Sequence, residues 1–239
     1  MKNHYSPREK GKVHFSLNVD YCEFPDNIFY DVENDVWFQP SQGSKEKVGR
    51  MGITSVLVFV TGKMSKVKFR KVSELEKGQS LVTIESIKYF GSVKSPVTGK
   101  ISKLNEELLM HPEKLSEAPY ETWLAEYEAY DGNSLTGLLY GENAKARLLS
   151  RIKELRVRCF KLLPDEEMYA IGSECTTTLA NLDEMLEKRP GGYIVHLVTD
   201  DNTADIELVR WSMQTGNELV ESRKEENLYH FILRKKKSE

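Results

Sequence analysis

The sequence predicts a mixed fold, in which a β-rich unit that ends in a helix is followed by a small α/β two-layer sandwich. Residues 25–130 hold short β-branched runs bounded by glycines, a pattern typical of strands and tight turns. Residues 136–156 carry apolar side chains at helical spacing. From residue 165 onward, strand and helix patterns follow in the order β-α-β-α-β-β. These observations divide the chain into a β-rich first unit and an α/β second unit.

The length of 239 residues suits one large or two small domains. We expect a first domain over 1–156, with a polar N-terminal extension that contains one strand-like piece at 14–19. A linker is expected over 157–164, and a second domain over 165–239. The helix of 136–156 is expected to pack on its own domain, and a spacer between the domains is the alternative.

The composition is that of an ordinary globular protein, with 39% hydrophobic and 30% charged residues. A net charge of −3 gives no indication of nucleic-acid binding. The longest apolar run, residues 56–60, is too short to span a bilayer, and the N-terminus lacks the apolar core of a secretory signal. We therefore expect a cytoplasmic protein with neither nucleic acid nor membrane as partner.

The three cysteines, Cys22, Cys159 and Cys175, form an odd and sparse set, which argues against a disulfide framework. Cys22 and Cys159 lie in no motif, and we expect them to be structural. The five histidines are scattered without metal-ligand spacing, so no metal site is expected.

Residues 53–60 allow two interpretations. Their β-branched content favours a strand, whereas the family resemblance described below favours a short helix before Gly62, which we adopt. In the second unit we expect strands at 168–171 and 193–199 and helices at 176–188 and 205–215. A final hairpin is expected from strands 218–222 and 228–233, with residues 224–227 between them.

A lysine, Lys88, is expected at the tip of a hairpin. Strand-like residues 77–84 precede it, and residues 91–101, bounded by Gly91 and Gly99, follow it. Such a lysine would project its amine into solvent, where an enzyme could acylate it. The alternative is an ordinary exposed turn lysine.

The surroundings of Lys88 resemble the lipoyl-attachment region of the glycine cleavage H-protein family, over about residues 25–130. The matching segments are Glu-Ser-Ile-Lys at 85–88, Ser-Pro-Val-Thr-Gly at 95–99, Asn105, Pro-Tyr at 119–120 before Trp-Leu at 123–124, and the Val-Gly and Gly-Ile-Thr pieces of 48–54. Two departures are Tyr89, where the family has a small residue, and a Pro-Tyr to Trp spacing that is shorter by one.

The resemblance implies a hammerhead (biotinyl-lipoyl-like) domain with covalent lipoate on Lys88. A carrier of this kind positions the cofactor and presents it to partners, while the cofactor supplies the chemistry. Implied partners are a lipoate ligase or transferase, together with glycine cleavage enzymes or sulfur-transfer and redox enzymes. Glu85 is a candidate for recognition by the modifying enzyme, or a solubilising carboxylate.

Cys175 is expected where a strand turns into a helix. Backbone N–H groups and the helix dipole there favour an anion and would lower the pKa of the thiol. This placement suits a nucleophilic or sulfur-carrying cysteine. The alternative is a small buried hydrophobe.

Residues 165–235 resemble the TusA-like (SirA-like) sulfur-carrier family, which implies that Cys175 carries a persulfide. The matching residues are Gly172 and Cys175, Gly-Gly at 191–192, Thr-Asp-Asp at 199–201, Asp-Ile at 205–206, Trp211 and Gly-Asn-Glu-Leu at 216–219. Threonines at 176–178 replace the prolines that follow the cysteine in that family, and proline would preset the first helical turn.

Three functions remain open at this point. The first is a lipoyl carrier fused to a sulfur carrier that shuttles sulfur, or another lipoyl-bound group, between partner enzymes. The second is a glycine cleavage H-protein that carries an aminomethyl group. The third is a non-catalytic interaction protein in which both sites are silent. In each of them the protein is a carrier rather than an enzyme, with at most a weak sulfurtransferase role.

Overall fold

The structure is a computed structural model that describes residues 15–19, 21–41, 48–130 and 135–237. Residues 1–14 of the expected N-terminal extension lie outside the described residues. The strands of the first part are β1 Phe15–Val19, β2 Cys22–Pro25, β3 Phe29–Asp31, β4 Val36–Pro40, β5 Val48–Ile53, β6 Met64–Phe69, β7 Glu74–Leu75, β8 Ser80–Ser86, β9 Phe90–Lys94, β10 Gly99–Leu104 and β11 Ala125–Ala129. Its helices are α1 Ser55–Thr61, α2 Lys114–Glu117 and α3 Gly141–Leu155.

The last part of the chain contains four strands and two helices within the described residues. They are β12 Glu166–Ala170, α4 Cys175–Glu187, β13 Ile194–Thr199, α5 Ala204–Thr215, β14 Glu218–Glu225 and β15 Leu228–Arg234. Strand β12 runs parallel to β13, and β15 lies antiparallel between β13 and β14. The turn between β14 and β15 is tighter than expected, because both strands extend further and leave only residues 226–227 between them.

The first part is built around two sheets. One has the strand order β3-β4-β5-β11-β10-β7, and the other has the order β6-β8-β9. Their apolar faces share a core that includes Phe38, Met51, Leu81, Ile84 and Tyr127, all fully buried. A mixed, β-rich architecture with few helices is thus confirmed for this part of the chain.

Residues 55–61 form the helix α1 and not the strand that their β-branched side chains favour. The side chain of Thr54 accepts a hydrogen bond from the backbone N–H of Leu57 at the start of the helix. Gly62 ends the helix with a φ of +78°, a conformation that favours glycine. Burial of Val56, Leu57 and Val58 in the core outweighs the strand propensity of the β-branched residues.

Helix α3 packs on the first part of the chain, which confirms the expectation favoured for it. Its buried residues Ala144, Leu148 and Ile152 join a cluster that contains Trp37 and Val56. The helix begins at Gly141 and is 15 residues long, shorter than the segment 136–156 that the sequence predicts. It does not act as a spacer, because its apolar face is covered by its own unit.

The expectation that the cysteines form no disulfide is wrong for one pair. Cys22 on β2 and Cys159 after α3 are bonded, with Cα atoms 5.2 Å apart and a sequence separation of 137. Both are fully buried in the same cluster as α3. Their pairing depends on how α3 folds back over β2, a long-range feature that cysteine counting does not detect.

One face of the C-terminal sheet is buried, and the other is covered in part. Helices α4 and α5 cover one face through residues such as Leu182, Leu186 and Trp211. The helix-free face carries Ile194 and Ile232, which pack against Phe160 of the segment 157–164 and approach Phe59 of α1. This second contact places the C-terminal sheet beside the first part of the chain.

Candidate functional site

Lys88 lies in the turn between the antiparallel strands β8 and β9, as the sequence predicts. The backbone N–H of Ser86 donates to the carbonyl of Tyr89 over 2.9 Å and closes the turn. The Ser86 hydroxyl donates to the carbonyl of Thr61 and accepts from the backbone N–H of Lys88 at 3.3 Å. The turn is thereby held against the end of α1.

The Lys88 amine does not project freely into solvent. Its Nζ donates to Oε1 of Glu167 on β12 over 2.7 Å, and its side chain is 40% exposed. The stem of the lysine lies over Gly62: a Cβ at that position would come within 3.2 Å of Lys88 Cε. Because Gly62 has no side chain, the end of α1 leaves room for the stem of the lysine.

Glu167 receives a second hydrogen bond, from the hydroxyl of Tyr169 at 2.7 Å. Burial works to raise the pKa of Glu167, but the hydrogen bonds from Lys88 and Tyr169 prevail and hold that pKa below its usual value. The same contact raises the pKa of the Tyr169 hydroxyl to about 12. Glu167 is therefore ionised at neutral pH and pairs with the lysine ammonium.

Two cavities flank Lys88, and both are completed by the C-terminal sheet. One, of about 280 Å³, is lined by the apolar Phe59 and Phe160 and by the charged Arg156, Arg158 and Glu167, and it reaches His196. The other, of about 410 Å³, is lined by Ile87, Pro164 and Tyr193 together with charged residues of the two parts of the chain, among them Lys63 and Asp165. Lys63 and Asp165 form an ion pair of 2.7 Å across it.

A buried histidine pair lies behind the smaller cavity. His196 Nε2 and His230 Nδ1 are 3.0 Å apart, so that one ring nitrogen donates and the other accepts. Phe160 packs on His196 with ring centroids 4.5 Å apart. Burial, followed by the neighbouring His230, lowers the pKa of His196 to about 4, and burial lowers the pKa of His230 as well. Both rings are therefore neutral at pH 7.

Glu85 lies on β8, three residues before Lys88, and is half-exposed. Its Oε2 is 3.8 Å from Lys66 Nζ, a distance at which the two charges attract without a hydrogen bond. The carboxylate is thus accessible beside the hairpin tip, on the strand that leads into the turn.

Cys175 is the first residue of α4 and the one free thiol among the three cysteines. The expected lowering of its pKa is wrong. Burial first, then the charges of Asp201 and Glu207, raise the pKa of this thiol. The backbone N–H of Cys175 helps to lower the pKa of the Asp201 carboxyl, so another negative charge already lies near the helix start.

The contacts around Lys88 involve residues that the sequence did not single out, namely Gly62, Glu167, Tyr169 and His196. Glu167 lies in an ordinary acidic run at 165–167, and nothing local distinguishes it from its neighbours. The structure brings Lys88 and Glu85 to one hairpin, whereas Cys175 begins a helix on the other face of the C-terminal sheet from the one that contacts Lys88.

The described part of the chain contains neither a cluster suited to a metal ion nor a helix suited to span a membrane. No group of three or more His, Cys, Asp or Glu side chains in it has an arrangement that could hold a metal ion. None of its helices combines the length and the apolar character needed to cross a bilayer.

Comparison with known proteins gives a consistent result for the first part of the chain. A protein-family profile described as "Glycine cleavage H-protein" matches residues 29–151. The "Probable glycine cleavage system H protein 2" of Sulfurisphaera tokodaii is 30% identical, covering 61% of this chain and 99% of that protein. The "Glycine cleavage system H protein 2" of Aquifex aeolicus is 29% identical, covering 58% of this chain and 86% of that protein.

A solved structure also matches. The crystal structure of a glycine cleavage system H protein from Mycobacterium marinum is 24% identical, with a TM-score of 0.46, and the match covers 53% of this chain and 98% of that one.

Proposed function

Because the chain belongs to the glycine cleavage H-protein family, whose members carry lipoate covalently on a lysine, we propose that Lys88 is its lipoate attachment site. Proteins of this family are carriers rather than enzymes, and they work with glycine cleavage enzymes and lipoate ligases. The observation that supports Lys88 is its place in the β8–β9 turn within the matched residues, with a partly exposed amine.

The residues around Lys88 fit a long acyl arm. Gly62 leaves room for the lysine stem where any side chain would press on it. Ser86 and Thr61 fix the turn, so the attachment point is rigid while the arm itself is long and rotatable. When bound, lipoate supplies a dithiolane for redox or group transfer. The protein's own residues position it and present it to partners.

Peptide mapping of protein isolated from its own cell tests the assignment. The lipoyl mass should lie on the Lys88 peptide and disappear in Lys88→Arg. Lys94→Arg, at the far end of strand β9 in the same hairpin, should keep the modification. An adduct that persists in Lys88→Arg, or one found on another lysine, would refute the assignment.

A second candidate function concerns the C-terminal unit. We propose a lipoyl-carrier domain at 1–156, a linker at 157–164 and a TusA-like sulfur-carrier domain at 165–239. Two observations support the last of these. The elements follow the order β-α-β-α-β-β, and Cys175 is a free, partly exposed thiol at the start of α4. The raised pKa of that thiol and the threonines after it argue for weak intrinsic reactivity.

In this second function the protein shuttles sulfur between partner enzymes. The Cys175 thiolate would attack the terminal sulfur of a donor persulfide, so that the sulfur moves to Cys175 and the donor leaves as a thiolate. Glu85 would contribute to recognition by the lipoate ligase or transferase.

The alternative cargo is an aminomethyl group, as in a glycine cleavage H-protein. In the remaining alternative, both Lys88 and Cys175 are silent.

Intact mass of the protein from its own cell distinguishes these functions. Lipoyl and sulfur adducts on one chain, the latter lost in Cys175→Ser, would favour sulfur transfer. A lipoyl adduct with an aminomethyl group and an unmodified Cys175 would favour the glycine cleavage role. Absence of any adduct would favour the silent interaction protein.

A further inference from the structure

The segment 157–164 is held from two sides at Cys159. Its Sγ is bonded to Cys22 of β2, and its carbonyl accepts from the backbone N–H of Tyr21 at 3.3 Å. The same carbonyl accepts from Nη2 of Arg223 on β14, also at 3.3 Å. Cys159 therefore ties the first part of the chain to the C-terminal sheet.

The residues on either side of Cys159 contact the C-terminal sheet. Arg158 forms an ion pair of 2.6 Å with Glu225 on β14. Phe160 packs on the helix-free face of the sheet. Because these contacts lie on the C-terminal side, the segment 157–164 and the sheet would move together, and the bond from Cys159 to Cys22 attaches both of them to β2.

The contact between the C-terminal sheet and Lys88 itself consists of weaker interactions. Lys88 pairs with Glu167 and Lys63 pairs with Asp165, each over 2.7 Å and each partly exposed to water. Partly exposed ion pairs contribute little to stability. Leu163 adds an apolar contact with the core of the first part, and it is only partly buried. A covalent bond nearby therefore has a large influence on whether this contact stays closed.

We propose that the disulfide of Cys22 with Cys159 is a redox switch that controls access to the amine of Lys88. When the bond is closed, the segment 157–164 keeps Glu167 on the amine. When the bond is open, the segment and the C-terminal sheet separate more readily from β2, and the amine is released. The proposal rests on the assignment of Lys88 as the lipoate attachment site, because faster acylation is the consequence of release.

A surface cavity of about 340 Å³ lies beside the bond. Tyr21 and Glu23, on either side of Cys22, line it together with Phe160, which follows Cys159. Both cysteines are themselves buried. A reductant therefore approaches from this cavity and reaches the sulfurs when the segment 157–164 moves away from it.

The reductant that the switch requires is a dithiol. One of its thiolates attacks a sulfur of the disulfide, forms a mixed disulfide and releases one cysteine as a thiolate. Its second thiolate attacks the mixed disulfide and releases the other cysteine, so that the dithiol becomes a disulfide. Two electrons pass to the protein, and the cysteine thiolates take up the two protons that the dithiol loses. Disulfides persist in oxidising compartments and open in reducing ones, so the surroundings set the state of the bond.

The test measures acetylation of Lys88 by a sulfonated N-hydroxysuccinimide ester, which modifies amines without an enzyme. Full-length unlipoylated protein is compared before and after reduction with dithiothreitol, which is removed under anaerobic conditions before acetylation. Peptide mapping gives the rate for each lysine. We expect Lys88 to react about two- to fivefold faster after reduction, as for an amine released from a partly exposed ion pair. Lys94, exposed at the far end of β9, is the internal control and should react equally in both states.

Three variants connect the effect to the contact. The Cys22→Ser, Cys159→Ser double variant lacks the bond and should react at Lys88 as the reduced protein does, with or without dithiothreitol. Glu167→Gln keeps the bond but removes the charge that holds the amine, so reduction should accelerate Lys88 less than in the unmutated protein. Cys175→Ser is the matched control and should keep the full difference. All rates are measured well below the melting temperature of the least stable variant.

Several results would overturn the proposal. One is an equal rate at Lys88 in the closed and the reduced protein, and another is a bond that dithiothreitol leaves intact in the folded protein. A rise at Lys94 as large as the rise at Lys88 would mean general loosening in place of release from Glu167. Incubation with a lipoate ligase gives a separate result: absence of lipoate from Lys88 in both redox states refutes the attachment site, while acetylation still reports on the switch.

Discussion

At the residue scale, the contact between Lys88 and Glu167 joins side chains 79 residues apart in sequence. In the proposed attachment of lipoate, the amine that is acylated is a charged partner in an ion pair, and it has to leave Glu167 and lose a proton before it can act as a nucleophile. Glu167 is thus placed to slow the modification of the free lysine.

We expect Glu167→Gln to speed enzymatic lipoylation of Lys88 by about two- to fivefold, since a partly exposed ion pair contributes up to about 1 kcal/mol. The measurement is the initial rate of lipoyl transfer, followed by intact mass. Glu166→Gln is the matched control: Glu166 pairs with Arg189 and Tyr193 and makes no contact with Lys88. An unchanged or slower rate in Glu167→Gln would show that Glu167 does not restrain the amine.

Cys175 provides the second prediction at this scale. Because burial and the charges of Asp201 and Glu207 raise the pKa of its thiol, alkylation by iodoacetamide at pH 7 should be slower than for a free cysteine and should accelerate as the pH rises. Asp201→Asn should speed the reaction at pH 7 several-fold, since the amide oxygen can still accept from the backbone while the negative charge is gone. Equal rates in the two proteins would show that Asp201 does not control the thiol.

The residues around the site divide according to the range of the interactions that define them. The β8–β9 hairpin and Lys88 at its turn follow from alternating apolar residues and flanking glycines, which are local signals. Contacts between distant segments determine the roles of Glu167 and Gly62 beside Lys88 and raise the pKa of Cys175. No local pattern in the sequence encodes these contacts. The sequence predicts the helix start at Cys175, but it does not predict that the Asp201 carboxylate lies near it.

At the element scale, strands β13 and β15 bring His196 and His230 together on the helix-free face. The pKa values of the pair are lowered by the positive charges of Arg158, Arg223 and Lys88. They are raised by the negative charges of Glu167 and Glu225. The unfolded His196 takes up a proton near pH 6.5, whereas the folded one does so only near pH 4. Between these values the unfolded state binds more protons, so the folded state loses stability as the pH falls.

We therefore expect the free energy of unfolding to fall by about 3 kcal/mol from His196 alone between pH 7 and pH 4. Urea titrations at several pH values measure it. His196→Gln retains an amide group for hydrogen bonding with His230 and carries no titrating group, so its stability should depend less on pH over this range. The same pH dependence in both proteins would assign the loss to other groups.

Prediction of elements from local patterns was accurate where the apolar period was long, and at α1, where packing decides, the helix was predicted only through the family resemblance. Helices α4 and α5 and strand β13 match their periodic patterns within one or two residues. Helix α1 is seven residues long and β-branched, and local propensity alone would have made it a strand. Its helical form depends on burial in the core of the first part of the chain. In the sequence, only the resemblance to a family indicates this.

At the scale of the whole molecule, the disulfide of Cys22 with Cys159 ties β2 to the segment that carries Phe160. Closing a loop of 137 residues stabilises the folded chain by about 5 kcal/mol in the chain-entropy model. We expect the Cys22→Ser, Cys159→Ser double variant to melt about 10 °C lower than the unmutated protein. Cys175→Ser should melt unchanged. A double variant as stable as the unmutated protein would show that the bond adds no stability.

The arrangement of the two parts also determines whether Lys88 and Cys175 can exchange sulfur within one chain. Lys88 contacts the helix-free face of the C-terminal sheet near the start of β12, whereas Cys175 begins α4 on the opposite face, beyond the end of that strand. From Glu167 to Ala170 the strand rises about 10 Å, and crossing from one layer to the next adds about 10 Å. The arm cannot pass through the packed sheet, so its path around the edge is about 20 Å. A lysyl-lipoyl arm of about ten bonds reaches roughly 14 Å, so direct exchange falls short.

We therefore expect sulfur to pass between the two sites through partner enzymes. The test uses protein with a reduced lipoyl arm and a persulfide loaded on Cys175, without any other enzyme. In direct exchange, a lipoyl thiolate would take the terminal sulfur and release the Cys175 thiolate. Peptide mass over time should show transfer that is slow and accelerates with protein concentration, as for encounters between molecules. Rapid transfer at a rate independent of concentration would contradict this, since only a route within one molecule behaves in that way.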